Sequence, residues 1–525
     1  MAIPKLLEVE DPGAASVDQE AWDAVVVVSP TLNLTDLPAL YEPLRAAADV
    51  DARVGKDVVL IPAPKLAGGR LVFAPTGPID RDWDDVRRYG DAAKAGVQRA
   101  RNAGSKRPLL LLPRVPVEGG YERAVEVGLL GALEGLWEPL EAREVRGEQE
   151  LEPVTHLGFS VPAGADGAFI SKIVYAIERG RRLTRDLAGA EPERMRPAAF
   201  AAMCRDAFAE TSVFVEVVDD MEVLRRDYPL LTAVARASLV VDRHRPCVIR
   251  LRYEGKGPIR ETLLCAGKGV TYDTGGADLK VGGHMAGMSR DKGGAAAVAG
   301  FLLTVAELQP AGLCVIAEIG TVRNSIGADA YVADEIIKSH AGVRVRVGNT
   351  DAEGRMVLAD LLSHLREAAK SSTTPRMLSL ATLTGHAALT AGPYTVAVEN
   401  GPARKNRLSA GLAAVGDQWG DPFEVSRLRR EDYDFIQPKS SAEDVIQCNN
   451  GPSSTTDRGH QFPAAFLLRA SGLDAHGADA KNPIPFVHID LGGSAYEGGD
   501  WQHGRPTAAA VVTLCARWAI DEMPL

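Results

Sequence analysis

The chain has 525 residues, 46% of them hydrophobic and 25% charged, which is typical of a soluble globular protein too long for one ordinary domain. A formal net charge of −11 argues against a general nucleic-acid binder and against a protein that binds anionic membranes. No apolar run approaches the roughly 20 residues that cross a bilayer, and the acidic N-terminus lacks the layout of a signal peptide. The six cysteines are dispersed, which favours free thiols in a reducing compartment and predicts a cytoplasmic protein.

Residues 1–165 are predicted to form a smaller N-terminal α/β domain. Helical stretches lie around residues 80–104 and 119–138, between or after apolar runs that are typical of buried strands. The apolar runs occupy residues 24–30, 57–64, 70–77 and 108–115. No nucleotide-binding glycine motif and no group of acids or histidines with ligand spacing stands in this part of the sequence. Residues 166–189 follow as one long amphipathic helix, which we interpret as a linker.

Residues 190–525 are predicted to form a larger C-terminal domain. Strands and helices alternate again, which favours a mixed central sheet covered by helices. The predicted strands occupy residues 261–269, 314–320, 343–347, 377–385 and 486–493. Polar residues follow several of these runs, at the strand ends where open α/β sheets place their sites. The predicted fold class is therefore α/β with two domains.

A glycine-rich segment, GKGVTYDTGGADLK at residues 267–280, contains Lys268, Asp273 and Lys280. Lysines in a glycine-rich loop are typical of phosphate binding. However, the Walker spacing is absent, and an acid inside the loop would repel a bound anion. The segment therefore favours another kind of site.

Three further acids stand beside predicted helices. Asp291 directly precedes an alanine-rich helical run, where a helix N-cap is one interpretation. Asp351 and Glu353 lie in NTDAEGR, between the alternating strand VRVRV and a helix. In an extended chain both side chains can face one point, and two carboxylates that close repel unless one is protonated or a cation lies between them. The alternative is an acidic loop whose charges complement the helix dipole.

Together, Asp273, Asp291, Asp351 and Glu353 are four acids that one sheet edge could gather. Clusters of carboxylates hold divalent metals, and a pair of metals about 3.5–4 Å apart needs carboxylates that bridge. The sequence has no HExxH motif and no Cys/His zinc pattern, so a hydrolytic metal site would be built from carboxylates. The neighbouring basic residues are explained if one lysine is a ligand and the others polarise a carbonyl or stabilise an oxyanion.

In this order and spacing, GKGVTYDTGGADLK, MSRDKGGAAAV, NTDAEGRMVLAD and ATLTG resemble the leucyl aminopeptidase family of dinuclear-metal exopeptidases. NTDAEGR is the family's signature and is present without a change. The resemblance covers roughly residues 180–525, from RDLAGAEPERMRP to GRPTAAAVVTL, whereas the first 165 residues match in general layout only. It implies that residues 190–525 form a catalytic metallopeptidase domain.

By matching position, the resemblance implies two metal sites that share ligands. Lys268, Asp273, Asp291 and Glu353 would hold one divalent ion, and Asp273, Asp351 and Glu353 the other. The ions implied are zinc, manganese or both, with magnesium and cobalt as further candidates. Asp273 and Glu353 would bridge them, which would explain why the two carboxylates of NTDAEGR face one point.

The resemblance also implies the catalytic residues and the reaction. Lys280 matches the lysine that polarises the peptide carbonyl, and Arg355 matches the arginine that holds a bicarbonate ion as general base. A water activated by two metals would attack the first peptide bond of a short peptide with a free N-terminus, leucine or a similar apolar residue being preferred. Residues implied around the substrate are Met288, Asn349, Ala352, Thr382, Leu383 and Gly385.

The resemblance further implies a homohexamer built as a pair of trimers. From the acidic charge and the lack of a membrane-spanning apolar run, no membrane or nucleic-acid partner is expected. Some positions depart from the family's pattern. Asp278 and His386 stand where small or apolar residues are common, and Lys292 follows Asp291 where methionine is frequent. IDLGG, residues 489–493, replaces an IDxAG-like ending. None of these changes removes a ligand, and their effect on specificity stays open.

Two other classes of function are alternatives. A catalytically silent oligomeric scaffold or nucleic-acid-binding regulator could share the fold, but the intact ligand set and the acidic charge balance count against it. A two-metal phosphoesterase would leave the lysine ligand and the NTDAEGR loop without an explanation.

Overall fold

The computed structural model describes residues 3–116 and 118–520, which divide into two compact units. The first unit is Met1–Arg179 with Val415–Asp421, and the second is Gly180–Ala414 with Pro422–Leu525. Both units are α/β, which confirms the predicted fold class. The domain limits expected from the sequence, 1–165, 166–189 and 190–525, stay a prediction. Within the described residues, no helix is both long and apolar enough to cross a membrane.

The first unit contains a six-stranded sheet in the order β1-β6-β5-β2-β4-β3. Its strands are β1 (Lys5–Glu8), β2 (Ala24–Ser29), β3 (Val59–Pro62), β4 (Arg70–Pro75), β5 (Pro108–Leu111) and β6 (His156–Phe159). All neighbours pair in parallel except β3 and β4. The helices that begin in this part of the chain are α1 (Pro12–Val17), α2 (Pro38–Ala48), α3 (Arg87–Asn102), α4 (Ala124–Leu136), α5 (Leu140–Arg146), α6 (Glu148–Leu151) and α7 (Gly167–Gly189), the last of which ends within the range of the second unit.

Burial of β-branched residues explains the centre of this sheet. Strand β2 reads AVVVVS and is buried along its whole length, as expected for a parallel strand covered on both faces. The four predicted strands and the two predicted helices are confirmed as β2 to β5, α3 and α4, and helix α7 spans residues 167–189 as predicted. The sequence patterns did not predict β1 and β6, which are four residues each.

The second unit contains an eight-stranded mixed sheet, in the order β15-β14-β17-β13-β9-β10-β8-β7, and a small sheet, β11-β12-β16. The strands are β7 (Phe214–Val218), β8 (Cys247–Glu254), β9 (Glu261–Asp273), β10 (Leu313–Asn324), β11 (Ile336–Lys338), β12 (Arg344–Arg346), β13 (Pro375–Ala381), β14 (Thr395–Glu399), β15 (Phe423–Arg427), β16 (Val445–Ile446) and β17 (Phe486–Asp490).

The remaining helices are α8 (Pro197–Phe208), α9 (Met221–Asp227), α10 (Pro229–Ala235), α11 (Gly293–Leu308), α12 (Glu353–Ala369), α13 (Gly385–Ala391), α14 (Gly401–Lys405), α15 (Leu408–Trp419), α16 (Arg430–Phe435), α17 (Phe462–Ala470) and α18 (Val511–Cys515). Helix α11 is buried around nearly its whole circumference, in agreement with its run of alanine and aliphatic residues.

Strands β10, β9, β13 and β17 run parallel to one another at the centre of this sheet. Their carboxyl ends therefore lie at one edge, which is where polar residues follow them in the sequence. The predicted strands are confirmed, with one difference in placement. The VRVRV strand forms β12 of the small sheet, because an exposed Arg344 and a half-buried Arg346 suit a sheet at the surface better than a central position.

Candidate metal centre and active site

The four acids expected to bind metal converge at the carboxyl edge of the large sheet. Asp273 is the last residue of β9, and Asp291 follows a single 3₁₀ turn before α11. Glu353 is the first residue of α12, and Asp351 lies in the turn that precedes it. Oxygen atoms of Asp273, Asp351 and Glu353 lie within 4.8 Å of one another. One point is thus faced by three carboxylates from two different loops.

The local backbone at these acids differs from two sequence expectations. Asp351 and Glu353 are not in extended chain, because Ala352 already serves as the N-cap of α12. They still meet, since Asn349 Oδ1 accepts the Asp351 amide at 2.8 Å and fixes the turn. The N-cap interpretation of Asp291 is wrong: Lys292 occupies that position, and the Asp291 carboxylate points to other partners.

Two lysines alternate with these acids. Lys268 Nζ lies 2.7 Å from Asp291 Oδ1 and 2.9 Å from Glu353 Oε1. Lys280 Nζ lies 3.0 Å from Asp273 Oδ2 and 2.5 Å from Asp351 Oδ1. Each lysine therefore pairs with a different half of the acid cluster, as expected if the two have different roles.

A glycine allows Lys268 to approach the helix that carries Glu353. A β-carbon added at Gly354 would lie 2.5 Å from Lys268 Cε and 2.7 Å from its Nζ. The position therefore cannot carry a side chain while Lys268 keeps its place. This close approach is a physical reason for the glycine in NTDAEGR.

Burial and the attraction between opposite charges shift the pKa values of this cluster in opposite directions. Burial raises the pKa of Asp291 well above its ordinary value, against the attraction of Lys268. Burial, followed by repulsion from Asp273, raises the pKa of Asp351 to about 7. Burial alone would lower the pKa of Lys268, but Asp291 and Glu353 hold that pKa above its usual range. Perturbed groups of this kind, gathered in one cavity, are typical of functional sites.

The donor set fits divalent cations. Asp291 Oδ2 and Glu353 Oε2 are buried and have no hydrogen-bond partner. A buried carboxylate oxygen left without a partner is costly, whereas a cation satisfies it and favours the charged form. Carboxylate oxygens with one lysine nitrogen are donors that zinc, manganese, magnesium and cobalt accept.

Polar residues that the sequence did not single out hold the acids in place. Asn324, at the end of β10, donates from Nδ2 to Asp273 Oδ1 at 2.8 Å and to the Thr350 carbonyl at 3.1 Å. Tyr331 donates its hydroxyl to the same carbonyl at 2.7 Å. The signal for Asn324 was a polar residue at the end of a buried strand, and it was missed because the predicted strand stopped at residue 320.

Arg355 is buried in the first turn of α12. Its guanidinium donates to the Gln447 carbonyl at 3.0 Å and lies 4.9 Å from the centre of the Phe462 ring. Its Nε is buried without a partner, so part of its donor capacity is open to an anion. Gln447, which the sequence did not reveal, also donates from Nε2 to the carbonyls of Asn349 and Ala352.

The ATLTG turn after β13 closes the cluster from another side. Thr382 donates its hydroxyl to Asp291 Oδ1 at 2.8 Å, and its carbonyl accepts from Lys268 Nζ at 3.0 Å. Asp490, at the end of β17, accepts the amide of Leu383 and the hydroxyl of Thr384. Two parallel strands thus fix this turn beside the acids.

One cavity of about 420 Å³ is lined by every residue that the sequence singled out for metal binding, catalysis or substrate contact. These residues are Lys268, Asp273, Lys280, Met288, Asp291, Asn349, Asp351, Ala352, Glu353, Arg355, Thr382, Leu383 and Gly385. They come from segments more than 100 residues apart in the chain, between Lys268 and Gly385. The structure therefore brings the whole predicted set together.

A tryptophan that the sequence did not single out forms part of the cavity wall. Trp501 donates its indole Nε1–H to the Gly492 carbonyl at 3.0 Å, and its ring centre lies 5.5 Å from that of Tyr496. Because its only donor is engaged, Trp501 offers an apolar ring to the cavity, which Met288 and Ala388 also line. An isolated tryptophan in a glycine-rich loop carries no sequence signal for this role.

The departures from the family pattern lie at different places. Asp278 Oδ2 accepts a hydrogen bond from the Thr350 amide at 2.7 Å, next to Asp351 of the acid cluster. Lys292 is buried and donates from Nζ to the Ala190 carbonyl at 2.8 Å. His386 Nδ1 lies 2.8 Å from His460 Nδ1, so this ring faces a second histidine beside the ATLTG turn.

The chain is similar to known proteins over most of its length. The model of the cytosol aminopeptidase family, catalytic domain, matches residues 182–515. A putative aminopeptidase of Caenorhabditis elegans is 40% identical over 503 residues, which cover 94% of this chain and 95% of the relative.

Two solved structures share the fold. The apo leucyl aminopeptidase of Trypanosoma cruzi has a TM-score of 0.78 at 22% identity, covering 99% of this chain and 97% of that one. The bottromycin maturation enzyme BotP, solved in complex with manganese, has a TM-score of 0.74 at 22% identity, covering 95% of this chain and 100% of that one.

Proposed function

Because this chain belongs to the cytosol aminopeptidase family, we propose that it removes the N-terminal residue from short peptides, with leucine or a similar apolar residue preferred. The observation that carries the proposal is the single cavity that gathers the predicted ligands and catalytic side chains. Within it, carboxylates of Asp273, Asp351 and Glu353 meet within 4.8 Å. Such a group of acids, flanked by Lys280 and Arg355, suits hydrolysis of an amide bond.

Two divalent cations would be held by overlapping sets of these residues. Lys268, Asp273, Asp291 and Glu353 would bind one, and Asp273, Asp351 and Glu353 the other. When bound, the cations supply the Lewis acidity that lowers the pKa of an attacking water. The unpartnered oxygens of Asp291 and Glu353 support this assignment.

The remaining residues would orient the substrate and stabilise charge. Lys280, at the end of its glycine-rich loop, would donate to the carbonyl oxygen as negative charge develops there. Arg355, with its buried and unpartnered Nε, would hold a bicarbonate ion that takes the proton of the water. The apolar wall formed by Met288, Leu383 and Trp501 would receive the side chain of the N-terminal residue.

Zinc or manganese is the proposed metal, with magnesium and cobalt as further candidates. The chemistry of the donors accepts all four. The manganese complex of the structural neighbour BotP supports manganese as one of the ions to test first.

We also propose a cytoplasmic homohexamer, built as a pair of trimers, that acts on short peptides with free N-termini. Six free and buried cysteines suit a reducing compartment. Mass determination in solution tests the assembly, since each chain contributes 55.9 kDa. An active monomer would contradict the hexamer and leave the chemistry standing.

The decisive experiment measures release of amino acids from a panel of aminoacyl amides. The protein is stripped with a chelator and reloaded with zinc, manganese, magnesium or cobalt in turn. We expect metal-dependent release from unblocked amides, fastest for leucine or similar residues, and none from N-acetylated amides. Failure to cleave any unblocked amide with any of these metals would favour a silent scaffold, and hydrolysis of a phosphoester control would favour a phosphoesterase.

A further inference from the structure

The loop that carries Lys280 is a tight turn at the end of β9. The Lys280 amide donates to the Thr274 carbonyl at 2.9 Å, so the chain folds back on itself within seven residues. Gly275, at φ +87°, is required for this fold, because an added β-carbon would lie 2.4 Å from the Asp278 carbonyl oxygen. The side chain of Lys280 can reach the acids only while this turn keeps its place.

Asp278 ties the turn to the loop that carries Asp351. Its Oδ2 accepts the Thr350 amide at 2.7 Å and lies 3.1 Å from the Thr350 hydroxyl oxygen. In return, the Asp278 amide donates to that hydroxyl oxygen at 2.8 Å. The hydroxyl also lies 2.7 Å from the Gly275 carbonyl oxygen, which accepts from it. The two loops are thus joined by reciprocal bonds between Asp278 and Thr350 and by a further bond from Thr350 to Gly275.

These hydrogen bonds are made by residues close to Asp351 and Lys280 in the chain. Thr350 immediately precedes Asp351, whose Oδ1 lies 2.5 Å from Lys280 Nζ. On its other side, the Thr350 carbonyl accepts from Asn324 and Tyr331, so the ligand loop is held from the sheet as well. The Asp278 carboxylate therefore links the Lys280 turn to a point that is already fixed.

We propose that Asp278 is a positioning residue for Lys280. Its carboxylate fixes the turn of residues 274–280 against Thr350, so that Lys280 and Asp351 are presented to the same point. The inference rests on the proposed function, because Lys280 is the group expected to polarise the substrate carbonyl. A displacement of a catalytic group by about 1 Å can cost on the order of 100-fold in rate, so a fixed turn matters for turnover.

The test compares Asp278→Ala with Asp278→Asn. The matched control is Leu279→Ala, at a residue of the same turn that is 40% exposed. All proteins are loaded with the metal that gives the highest wild-type activity. We expect Asp278→Ala to lower kcat by roughly 10- to 100-fold with little change in KM and with metal content retained. Asp278→Asn keeps an acceptor oxygen for the Thr350 amide and should recover most of kcat, and Leu279→Ala should resemble the wild type.

Hydrogen exchange gives a second readout that does not depend on activity. The peptide containing the Thr350 amide should exchange faster in Asp278→Ala than in the wild type and in Asp278→Asn. Unchanged kcat in Asp278→Ala, loss of metal in parallel with activity, or an asparagine variant as slow as the alanine variant would overturn the inference. If the wild type cleaves no unblocked amide, the proposed function fails. In that case, unchanged exchange at the Thr350 amide in Asp278→Ala would still overturn the proposal that Asp278 fixes the turn against Thr350.

Discussion

The two units share an architecture and differ in what stands at the carboxyl ends of their parallel strands. In the first unit, Ser29 and Thr76 end or follow strands β2 and β4, and their hydroxyls donate to backbone one or two residues away. In the second unit, Asp273 and Asp490 end strands β9 and β17, and their carboxylates accept from other loops and strands. A sheet edge therefore offers a place for a site, but a site forms only where side chains from separate elements meet.

The largest effects should follow from removing carboxylates of the second unit. Glu353→Ala and Asp351→Ala are each expected to abolish turnover and to lower the metal content, and Glu353→Ala should affect both ions because it is the proposed bridge. Metal per chain after dialysis is measured beside activity. Glu42→Ala, an exposed acid on α2 of the first unit, is the control. Full metal occupancy with normal turnover in Glu353→Ala would contradict the two-metal assignment.

Substitutions of the basic residues in the same cavity should lower turnover without lowering the metal content. Lys280→Ala and Arg355→Ala are expected to keep the metals while turnover falls by on the order of 100-fold, as when one electrostatic stabiliser or general base is lost. Metal analysis and kcat are measured on the same samples. If Lys280→Ala loses its metals, then Lys280 rather than Lys268 is the lysine ligand.

A matched pair of core substitutions, one in each unit, should lower stability similarly but affect activity only in the second unit. Leu110 on β5 and Leu380 on β13 are fully buried in central strands. Each change to alanine should cost about 2–5 kcal/mol of unfolding free energy in its own unit. Because Leu380 lies two residues before Thr382, Leu380→Ala should also lower kcat/KM per folded molecule, whereas Leu110→Ala should not. Unfolding free energy is measured with denaturant and kcat/KM is measured on the same variants. An equal loss of kcat/KM in the two variants would contradict the placement of the active site in the second unit alone.

The last prediction concerns the loss of unfolding free energy at acidic pH. Burial lowers the pKa of His488 to about 3, so its ring is neutral in the folded protein. The stability that follows is present above the unfolded pKa of about 6.5 and is lost as the pH falls towards 3, by at most about 1.4 kcal/mol per pH unit. His488→Gln should therefore lose less unfolding free energy between pH 7 and pH 4 than the wild type. His156→Gln, on β6 of the first unit, is the control, and an unchanged slope in His488→Gln would contradict this account.

Apolar pattern predicted the buried elements well. Strand β2 and helix α7 could be recognised because long apolar runs and amphipathic spacing are local properties of the sequence. Strands β1 and β6 could not, since four residues give too little pattern and their pairing with each other joins residues far apart in the chain. Strand β12 was recognised as a strand, but its sheet was not, because partner choice is a tertiary property.

The candidate site was predictable only where chemistry is concentrated in short motifs. NTDAEGR placed Asp351, Glu353 and Arg355 together, and the structure brings them to one cavity. Asn324 has only a weak local signal, as a polar residue at the end of a buried strand, and it lies beyond the end of the predicted strand. Gln447 has no local signal, because its hydrogen bonds to Asn349 and Ala352 form only once the folded chain brings these residues together. Their contribution depends on the register of strands and loops, which composition and spacing do not specify.

The position of Trp501 also gives the protein an optical reporter. Indole fluorescence responds to its surroundings, and this ring stands in the wall of the cavity, where an entering side chain would change its contacts. Trp22, Trp137, Trp419 and Trp518 are buried elsewhere, while Trp83 is 70% exposed and would contribute a solvent-sensitive background. In a Trp83→Phe background, the change in emission on adding a peptide would therefore report occupancy of the cavity before any bond is cleaved.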